Sequence, residues 1–265
     1  MPTASIFWDV QSCNVNTVVD LLTFIDESWS KDHVFLKNPA LLNWQHKNHK
    51  NLYNFLLAFS KSNEVLAILG FIPTWQYSKK LSLNNESWLA MWKVKETLKL
   101  PGLGISLLKT LEAKHELHTV CSINLSKMVI PIYKALGFSV GKLKHFVLIN
   151  TNQSDFSILK INRPVDAVQS ASNDNYSLRE FNSDDLIHMS AETVSKIFVT
   201  RPKKNPEYLL NRYLNHPIYK YQILAILLNH EVSAILVTRA IQVDSSKVLR
   251  IVDYQGEFIH LQYLN

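Results

Sequence analysis

Lys99–Leu108 reads KLPGLGISLL, and the fold can be worked out from this glycine turn outward. The hydrophobic run Trp88–Val94 precedes the turn like a strand, and Ile105, Leu108 and Leu111 follow it at helical spacing. Glycines let the backbone come close to a ligand, and the first N–H groups of a helix attract anions. The stretch therefore predicts a strand, a turn and a helix whose start binds a phosphate. A plain structural turn is the alternative, because short glycine motifs are common.

A second stretch, Ile130–Phe138, reads IPIYKALGF and predicts a short helix followed by a strand. Gly137 is placed to end this helix in the left-handed conformation, and Tyr133 lies one turn before that end. Taken alone, such a tyrosine is more often a half-buried packing residue than a chemical group. Pro131 indicates that the helix starts late or is distorted.

The composition indicates a globular protein with an anionic ligand. Of the 265 residues, 47% are hydrophobic and 19% are charged, which excludes a largely disordered chain. The net charge of +6 suits a nucleotide or coenzyme, whereas the scattered lysines and arginines do not indicate nucleic acid. Cys13 and Cys121 lack the spacing of a metal or redox site, so we expect free thiols and no metal. The sequence has neither a leader nor a membrane-length apolar run, so we expect a cytoplasmic protein.

Hydrophobic spacing and turn residues predict the other elements. Before the glycine turn these are a helix from Asn16 to Trp29, a helix starting at Asn38-Pro39, a hairpin of Tyr53–Phe59 and Val65–Ile72, and a strand Trp88–Glu96. Regular alternation along that strand would put Trp88, Trp92 and Val94 on one face. After the turn and its helix, the predicted elements are a strand His118–Leu125, a helix Val129–Leu136 and a strand Lys142–Ile149.

The chain repeats itself, because Lys37-Asn38-Pro39 recurs as Lys204-Asn205-Pro206 at an offset of 204 − 37 = 167. Positions 37–69 and 204–236 share 13 identities in 33, where chance gives about two. The position equivalent to Lys99 is 99 + 167 = 266, so the second copy stops before a glycine turn.

We therefore expect a first domain over 1–152, a polar linker over 153–175 and an incomplete second copy over 176–265. The first domain contains the two stretches already quoted. Lys99–Leu108 and Ile130–Phe138, in this order with a strand between them, resemble the GNAT family of acyl-CoA-dependent N-acyltransferases. In that family a strand leads into a Gln/Arg-x-x-Gly-x-Gly/Ala loop for the coenzyme A pyrophosphate, and a later helix carries a tyrosine before a Gly-Phe.

The resemblance covers about residues 16–149 and implies both a fold and a reaction. The fold is α/β (α+β), with a central mixed, mostly antiparallel sheet flanked by helices and a second, incomplete GNAT-like domain. The reaction is acetyl transfer from acetyl-CoA to a primary amine by direct attack. The second copy would then lean on the first or lack residues beyond Asn265, and serve as a lid, an acceptor platform or the surface of a homodimer.

The resemblance also implies roles for single residues. Tyr133 would be the general acid that reprotonates the coenzyme A thiolate. Glu96 is the first candidate for the base, Asp9 and His145 are weaker ones, and water can serve instead. A backbone N–H near Val94 would meet the oxyanion. The residues implied to contact coenzyme A are Val94, Lys99, Gly102, Leu103, Gly104, Ile105, Ser106 and Ser126.

Three tryptophans are candidate acceptor-binding residues, namely Trp75, Trp88 and Trp92. Aromatic faces can receive a sugar or an acyl group, although these side chains may equally be core. An amino sugar or sugar nucleotide of a surface-polysaccharide pathway would suit the aromatic content and the positive charge, by analogy at the level of the fold.

Two other functions stay open. A non-catalytic GNAT-like module that binds an acyl-CoA or a partner is favoured by Lys99, which stands where the family has Gln or Arg. Ser126 favours it too, since it replaces an asparagine common seven residues before the tyrosine. An aminoacyl-tRNA-dependent peptide transferase built from paired GNAT-like domains would need its cleft in the second copy, whereas the glycine turn is in the first.

Overall fold

A computed structural model describes residues 7–97, 100–143, 156–158, 173–244 and 246–263. Packing divides the chain into two compact units. The first comprises Met1–Ser122 and Thr200–Tyr219, and the second comprises Ile123–Val199 and Lys220–Asn265. The domain limits expected from composition stay a prediction, because most of the expected linker lies outside the described residues.

The elements are numbered in chain order across both units. The first unit contains β1 (Trp8–Asn14), α1 (Val18–Ser28), α2 (Val34–Lys37), α3 (Pro39–His46), β2 (Leu52–Ser60), β3 (Val65–Pro73), 3-10 helices over Thr74–Gln76 and Lys79–Asn84, β4 (Glu86–Val94), α4 (Leu103–His115) and β5 (Thr119–Cys121). The remaining elements are α5 (Ile130–Ala135), β6 (Tyr176–Phe181), α6 (Ser183–Ile187), α7 (Ala191–Ile197), α8 (Pro206–Leu209), a π-helical turn Leu210–Leu214, β7 (Gln222–Leu228), β8 (Glu231–Val243), β9 (Ser246–Gly256) and a 3-10 helix Phe258–Tyr263.

The first unit is built on a five-stranded sheet in the order β1-β2-β3-β4-β5. Its neighbours are antiparallel except β4 and β5, which are parallel. The central strands β2 and β3 are buried almost throughout, as expected for strands covered on both faces. The mixed, mostly antiparallel sheet with flanking helices that the resemblance implies is confirmed.

Helices cover the two faces of this sheet separately. One face carries α1, α2 and α3, whose apolar residues join Phe55, Leu57 and Ile68 in one core cluster. The other face carries α4, which packs on β2, β3 and β4. The residues of α4 that are buried there are Leu103, Leu107, Leu108 and Leu111. This leucine stripe fixes the start of α4 against the end of β4.

A β-bulge in β4 changes the predicted pattern of faces. Gly70 pairs with Met91 and Phe71 pairs with Leu89, so Ala90 is an extra residue without a partner position. Trp92 therefore shares the face of Leu69, whereas Trp88 shares the opposite face with Ile72. The prediction that Trp88 and Trp92 lie on one face is wrong, because the extra residue shifts the alternation by one.

Other elements differ from the predictions at their ends. The predicted strand His118–Leu125 is only the three residues of β5, while β1 and α2 were not predicted. Of the predicted strand Lys142–Ile149, the first two residues are not in a strand and the rest lie outside the described residues.

The second unit has its own antiparallel sheet in the order β6-β7-β8-β9, packed by α7. Its core includes Ile223, Ala225, Ile235 and Val237. The sheet reproduces the hairpin of the repeat, since β7 and β8 correspond to β2 and β3.

The repeat is also visible in two helix starts. The Asn38 Oδ1 accepts the Leu41 N–H at 3.0 Å, and the equivalent Asn205 Oδ1 accepts the Tyr208 N–H at 2.8 Å. Each cap is followed by a proline at the first helical position. The helix of the second copy, α8, nevertheless packs in the first unit, within Thr200–Tyr219.

Candidate functional site

The strand β4 pairs with β5 over only part of its length. Only Glu86, Ser87 and Trp88 of β4 pair with β5, and β5 ends at Cys121. From Leu89 to Val94, the described residues supply β4 with a hydrogen-bonded neighbour on its β3 side alone. Within the part of the chain that the structure describes, this edge of β4 has no neighbouring strand just before the glycine turn.

The backbone of β4 directs particular N–H groups at this open edge. Along a strand of an antiparallel pair, one residue directs both its N–H and its C=O at the neighbouring strand, and the next residue directs both away from it. The Lys95 N–H donates to the Leu66 carbonyl at 2.9 Å, towards β3. The next residue back, Val94, therefore points its N–H at the opposite edge, as does Trp92.

The glycine turn is held close to β4. Gly102 has φ +85°, a left-handed conformation that favours glycine, and it directly precedes α4. At Gly104 a Cβ would lie 3.2 Å from the Trp92 Nε1. Glycine at 104 thus lets the first turn of α4 approach the Trp92 ring.

Two amides at the start of α4 are free to bind an anion. The Leu103 N–H donates to the Leu100 carbonyl at 3.3 Å, and the Ser106 N–H donates to the Gly102 carbonyl at 2.8 Å. The N–H groups of Gly104 and Ile105 have no such partner among the described residues. The first turn also contains no acidic side chain that would compete with a ligand. Of the four amides from Leu103 to Ser106, two are therefore without a backbone partner among the described residues.

A groove of about 770 Å³ runs from this turn along α4. It lies on the polar side of the helix, and its lining residues are Gly102, Ile105, Ser106, Lys109, Thr110, Ala113 and Lys114. Lys114 donates to the Ser12 hydroxyl at 2.6 Å, and Lys109 is exposed. The groove thus continues the anion site with positive charge. Sequence reasoning missed the two lysines, although Lys109, seven residues after Gly102 and so on the same side of a helix, was a usable signal.

Glu96 lies at the surface rather than in the groove. Its carboxylate forms an ion pair with the Lys93 Nζ at 2.5 Å. The hydrogen bond from Lys93 and the charge of its ammonium lower the pKa of Glu96. An exposed carboxylate with a lowered pKa is a weak proton acceptor at neutral pH. Asp9 is also exposed, on β1, and accepts a hydrogen bond from Gln11.

The three candidate tryptophans occupy three different places. Trp92 is half-buried next to the glycine turn, and Trp88 is half-buried on the opposite face of the sheet. Trp75 lies in a 3-10 helix, with its ring centroid 6.4 Å from that of His49. Of the three, Trp92 is the residue that the structure brings to the candidate site.

Tyr133 belongs to the second packing unit, in α5. Its side chain is 4% exposed, and its ring packs edge-to-face on Phe138 with centroids 5.2 Å apart. Gly137 follows α5 with φ +85°, as predicted from the sequence. Ser126 is exposed and precedes the helix, whose N-cap is Val129, so it does not cap α5. The predicted site residues Lys99 and His145 lie outside the described residues.

The described residues contain no group of three or more histidine, cysteine, aspartate or glutamate side chains placed to hold a metal ion. In the same part of the chain, none of the helices combines the length and apolar character required to cross a membrane.

No protein-family model matches this sequence, and no curated protein matches it. Similar solved structures include an aminoglycoside 6'-N-acetyltransferase from Acinetobacter baumannii, at 17% identity and a TM-score of 0.40, over 54% of this chain and 99% of that one. An aminoglycoside N-acetyltransferase in complex with CoA is similar at 13% identity and a TM-score of 0.39, over 56% of this chain and 98% of its own. An acetyltransferase from Trypanosoma brucei is similar at 13% identity and a TM-score of 0.36, over 54% and 100%.

Proposed function

We propose that this protein is an acetyl-CoA-dependent N-acyltransferase of the GNAT type, which transfers acetyl to a primary amine. The observation that carries the proposal is the pair of free amides, Gly104 and Ile105, at a helix start next to the open edge of β4. The amides would bind the pyrophosphate of the co-substrate. The extended arm of the coenzyme would follow the backbone of β4 along that edge.

The proposed chemistry combines the open edge of β4 with Tyr133, whose role the resemblance implies. Acetyl-CoA supplies an activated acyl group, and the amine nitrogen forms the new C–N bond as the C–S bond breaks. The Val94 N–H would donate to the carbonyl oxygen as it gains charge. Tyr133 would give its proton to the departing thiolate, and water would take the proton from the amine, because Glu96 is held in its ion pair with Lys93.

We extend the proposal to an amino-sugar or sugar-nucleotide acceptor. Trp92 supports it, since its half-buried ring offers an apolar face for a sugar next to the anion site. A homodimer and a cytoplasmic location stay predictions from the sequence.

Calorimetry with acetyl-CoA and with coenzyme A tests the proposal directly. We expect dissociation constants of about 1–100 μM, in the range common for enzyme substrates. Absence of heat at millimolar ligand would contradict the proposed function.

Replacing Lys109 should weaken the binding of coenzyme A much more than that of dephospho-coenzyme A, which lacks the 3'-phosphate. A helix rises 1.5 Å per residue, so Lys109 lies about 10 Å along the groove from Gly102, within reach of that phosphate. We expect Lys109→Ala to weaken coenzyme A about fivefold at low salt, as for an exposed ion pair, and to leave dephospho-coenzyme A nearly unchanged. The exposed Lys31 supplies a control variant, Lys31→Ala. If the binding of both ligands is weakened equally, Lys109 does not bind the 3'-phosphate.

Tyr133→Phe should lower turnover while leaving coenzyme binding intact. Phenylalanine preserves the edge-to-face packing on Phe138 and removes only the hydroxyl. General acid catalysis contributes about 10²–10⁴-fold, so we expect kcat to fall by about a hundredfold and the Kd of acetyl-CoA to change less than about twofold. Steady-state kinetics and calorimetry measure the two quantities. Unchanged kcat would exclude Tyr133 as the acid.

A non-catalytic acyl-CoA-binding module is the second candidate. The ion pair of Glu96 with Lys93 favours it, because it removes the first candidate base. This function would be correct if coenzyme A binds but acetyl-CoA is never consumed across a panel of amines, amino sugars and peptides.

A further inference from the structure

A segment from the second copy of the repeat is built into the first unit. Thr200–Tyr219, here named the strap, contains α8 and the π-helical turn. In the first copy, the equivalent helix α3 packs on its own hairpin, β2 and β3. The strap instead contacts the loop after β3 and the first residue of β4.

One contact of the strap is with Glu86, the first residue of β4. The Glu86 side chain is fully buried. Its carboxylate accepts a hydrogen bond from Arg201 Nη1 at 2.5 Å and one from the Lys203 backbone N–H. Without the strap, a buried carboxylate would lose both of these partners, which is strongly unfavourable.

A second contact places the guanidinium of Arg212 against two neighbouring aromatic rings, whose centroids are 5.1 Å apart. Its carbon lies 5.2 Å from the centroid of Trp44 and 4.9 Å from that of Tyr77. Arg212 also donates to the Tyr77 hydroxyl. Trp44 belongs to α3 and Tyr77 to the loop after β3, so one strap residue joins two elements of the first copy.

Further hydrogen bonds tie the strap to the same loop. The Asn211 side chain donates to the Tyr77 carbonyl at 2.8 Å. The buried Ser78 hydroxyl donates to Glu207 at 3.0 Å and accepts from Asn205 at 2.9 Å. Polar groups of the first copy are therefore satisfied by residues more than 100 positions away in sequence.

We propose that the second copy serves to complete the first unit, and that Arg201 is a positioning residue that acts through Glu86 on the open edge of β4. Glu86 is both the residue held by the strap and the first residue of β4 that pairs with β5. Because β4 and β5 pair over only three positions, fixing this end fixes where the two strands separate. The effect on coenzyme binding rests on the proposed function, whereas the effect on β4 does not.

Hydrogen exchange on the full-length protein tests the proposal without requiring a ligand. We expect Arg201→Ala to speed exchange in Glu86–Val94 and Thr119–Cys121 about tenfold or more, since opening of these strands becomes easier. Arg179→Ala is the matched control, because Arg179 forms an exposed ion pair with Asp185 in the second unit. Arg201→Lys should restore most of the protection, since it keeps a donor of positive charge near Glu86.

A double variant distinguishes positioning from general loss of stability. Adding Glu86→Gln to Arg201→Ala removes the uncompensated charge and keeps an acceptor for the Lys203 N–H, so exchange should slow again. For coenzyme A, Arg201→Ala should raise the Kd about fivefold, and the double variant should reverse part of that change. If Arg201→Ala exchanges as slowly in β4 as the wild type does, the proposal is wrong. It is also wrong if the double variant exchanges faster there than both single variants. Failure of the wild type to bind coenzyme A would instead count against the proposed function, with the exchange result still decisive.

Discussion

Gly104→Val is expected to weaken coenzyme A binding about a hundredfold, the largest effect on coenzyme binding among the changes proposed at the candidate site. Helical Cβ bonds tilt towards the N-terminus, so a branched side chain at 104 would crowd the free amides of the first turn. It would also force a Cβ to within 3.2 Å of the Trp92 indole, moving α4 or the ring. Losing two hydrogen bonds to a charged phosphate costs about 3 kcal/mol, which corresponds to about a hundredfold.

A graded series makes this measurement specific. Gly104→Ala adds only the Cβ, and a shift of a few tenths of an ångström would accommodate it, so its effect should fall between wild type and Gly104→Val. Gly141→Ala serves as the control, because a Cβ at 141 meets nothing within 4 Å. Calorimetric titration with coenzyme A gives the dissociation constants. Equal affinity of Gly104→Val and wild type would mean that the amides of the glycine turn do not bind the coenzyme.

Arg212→Ala is expected to lower the free energy of unfolding of the first unit by about 3 kcal/mol. The variant loses two cation–π contacts, worth about 1 kcal/mol each, and the hydrogen bond to the Tyr77 hydroxyl. With a denaturant slope of about 1.5 kcal/mol per molar urea, the transition should move down by about 2 M. Tryptophan fluorescence reports it, since Trp44 lies against the guanidinium.

Two variants show whether the aromatic contacts cause the loss. Arg212→Lys keeps the charge without the planar guanidinium, so we expect an intermediate shift. Arg250 is exposed on β9, and Arg250→Ala should leave the urea midpoint of the first unit unchanged. If Arg212→Ala shifts the transition no more than Arg250→Ala does, the strap contributes little to the stability of the first unit.

The parts of the site that local sequence determines were predictable. Gly102 and the leucines at helical spacing predict the turn and α4, because backbone conformation and burial on one face restrict which residue types can occur. Asn38-Pro39 predicts a helix start for the same reason, and it is present, as is the equivalent start at Asn205-Pro206.

Features that depend on distant contacts were not predictable. The extra residue at Ala90 leaves no local signal, yet it moves Trp88 to the other face of the sheet. The number of free amides also depends on the Leu100 carbonyl, which accepts a hydrogen bond from the Leu103 N–H. The place of α8 depends on contacts with Glu86, Ser78 and Tyr77, more than 100 residues earlier in the sequence.

The strap has a consequence for how a duplicated chain evolves. A second copy can be deleted again as long as each copy folds by itself, so most fresh duplications are reversible. Once the helix of one copy satisfies the buried Glu86 of the other, deletion leaves that carboxylate without Arg201 and the Lys203 amide. Selection on folding alone would then retain the second copy. Its sequence would be free to diverge everywhere except where it contacts the first unit and where it builds its own sheet.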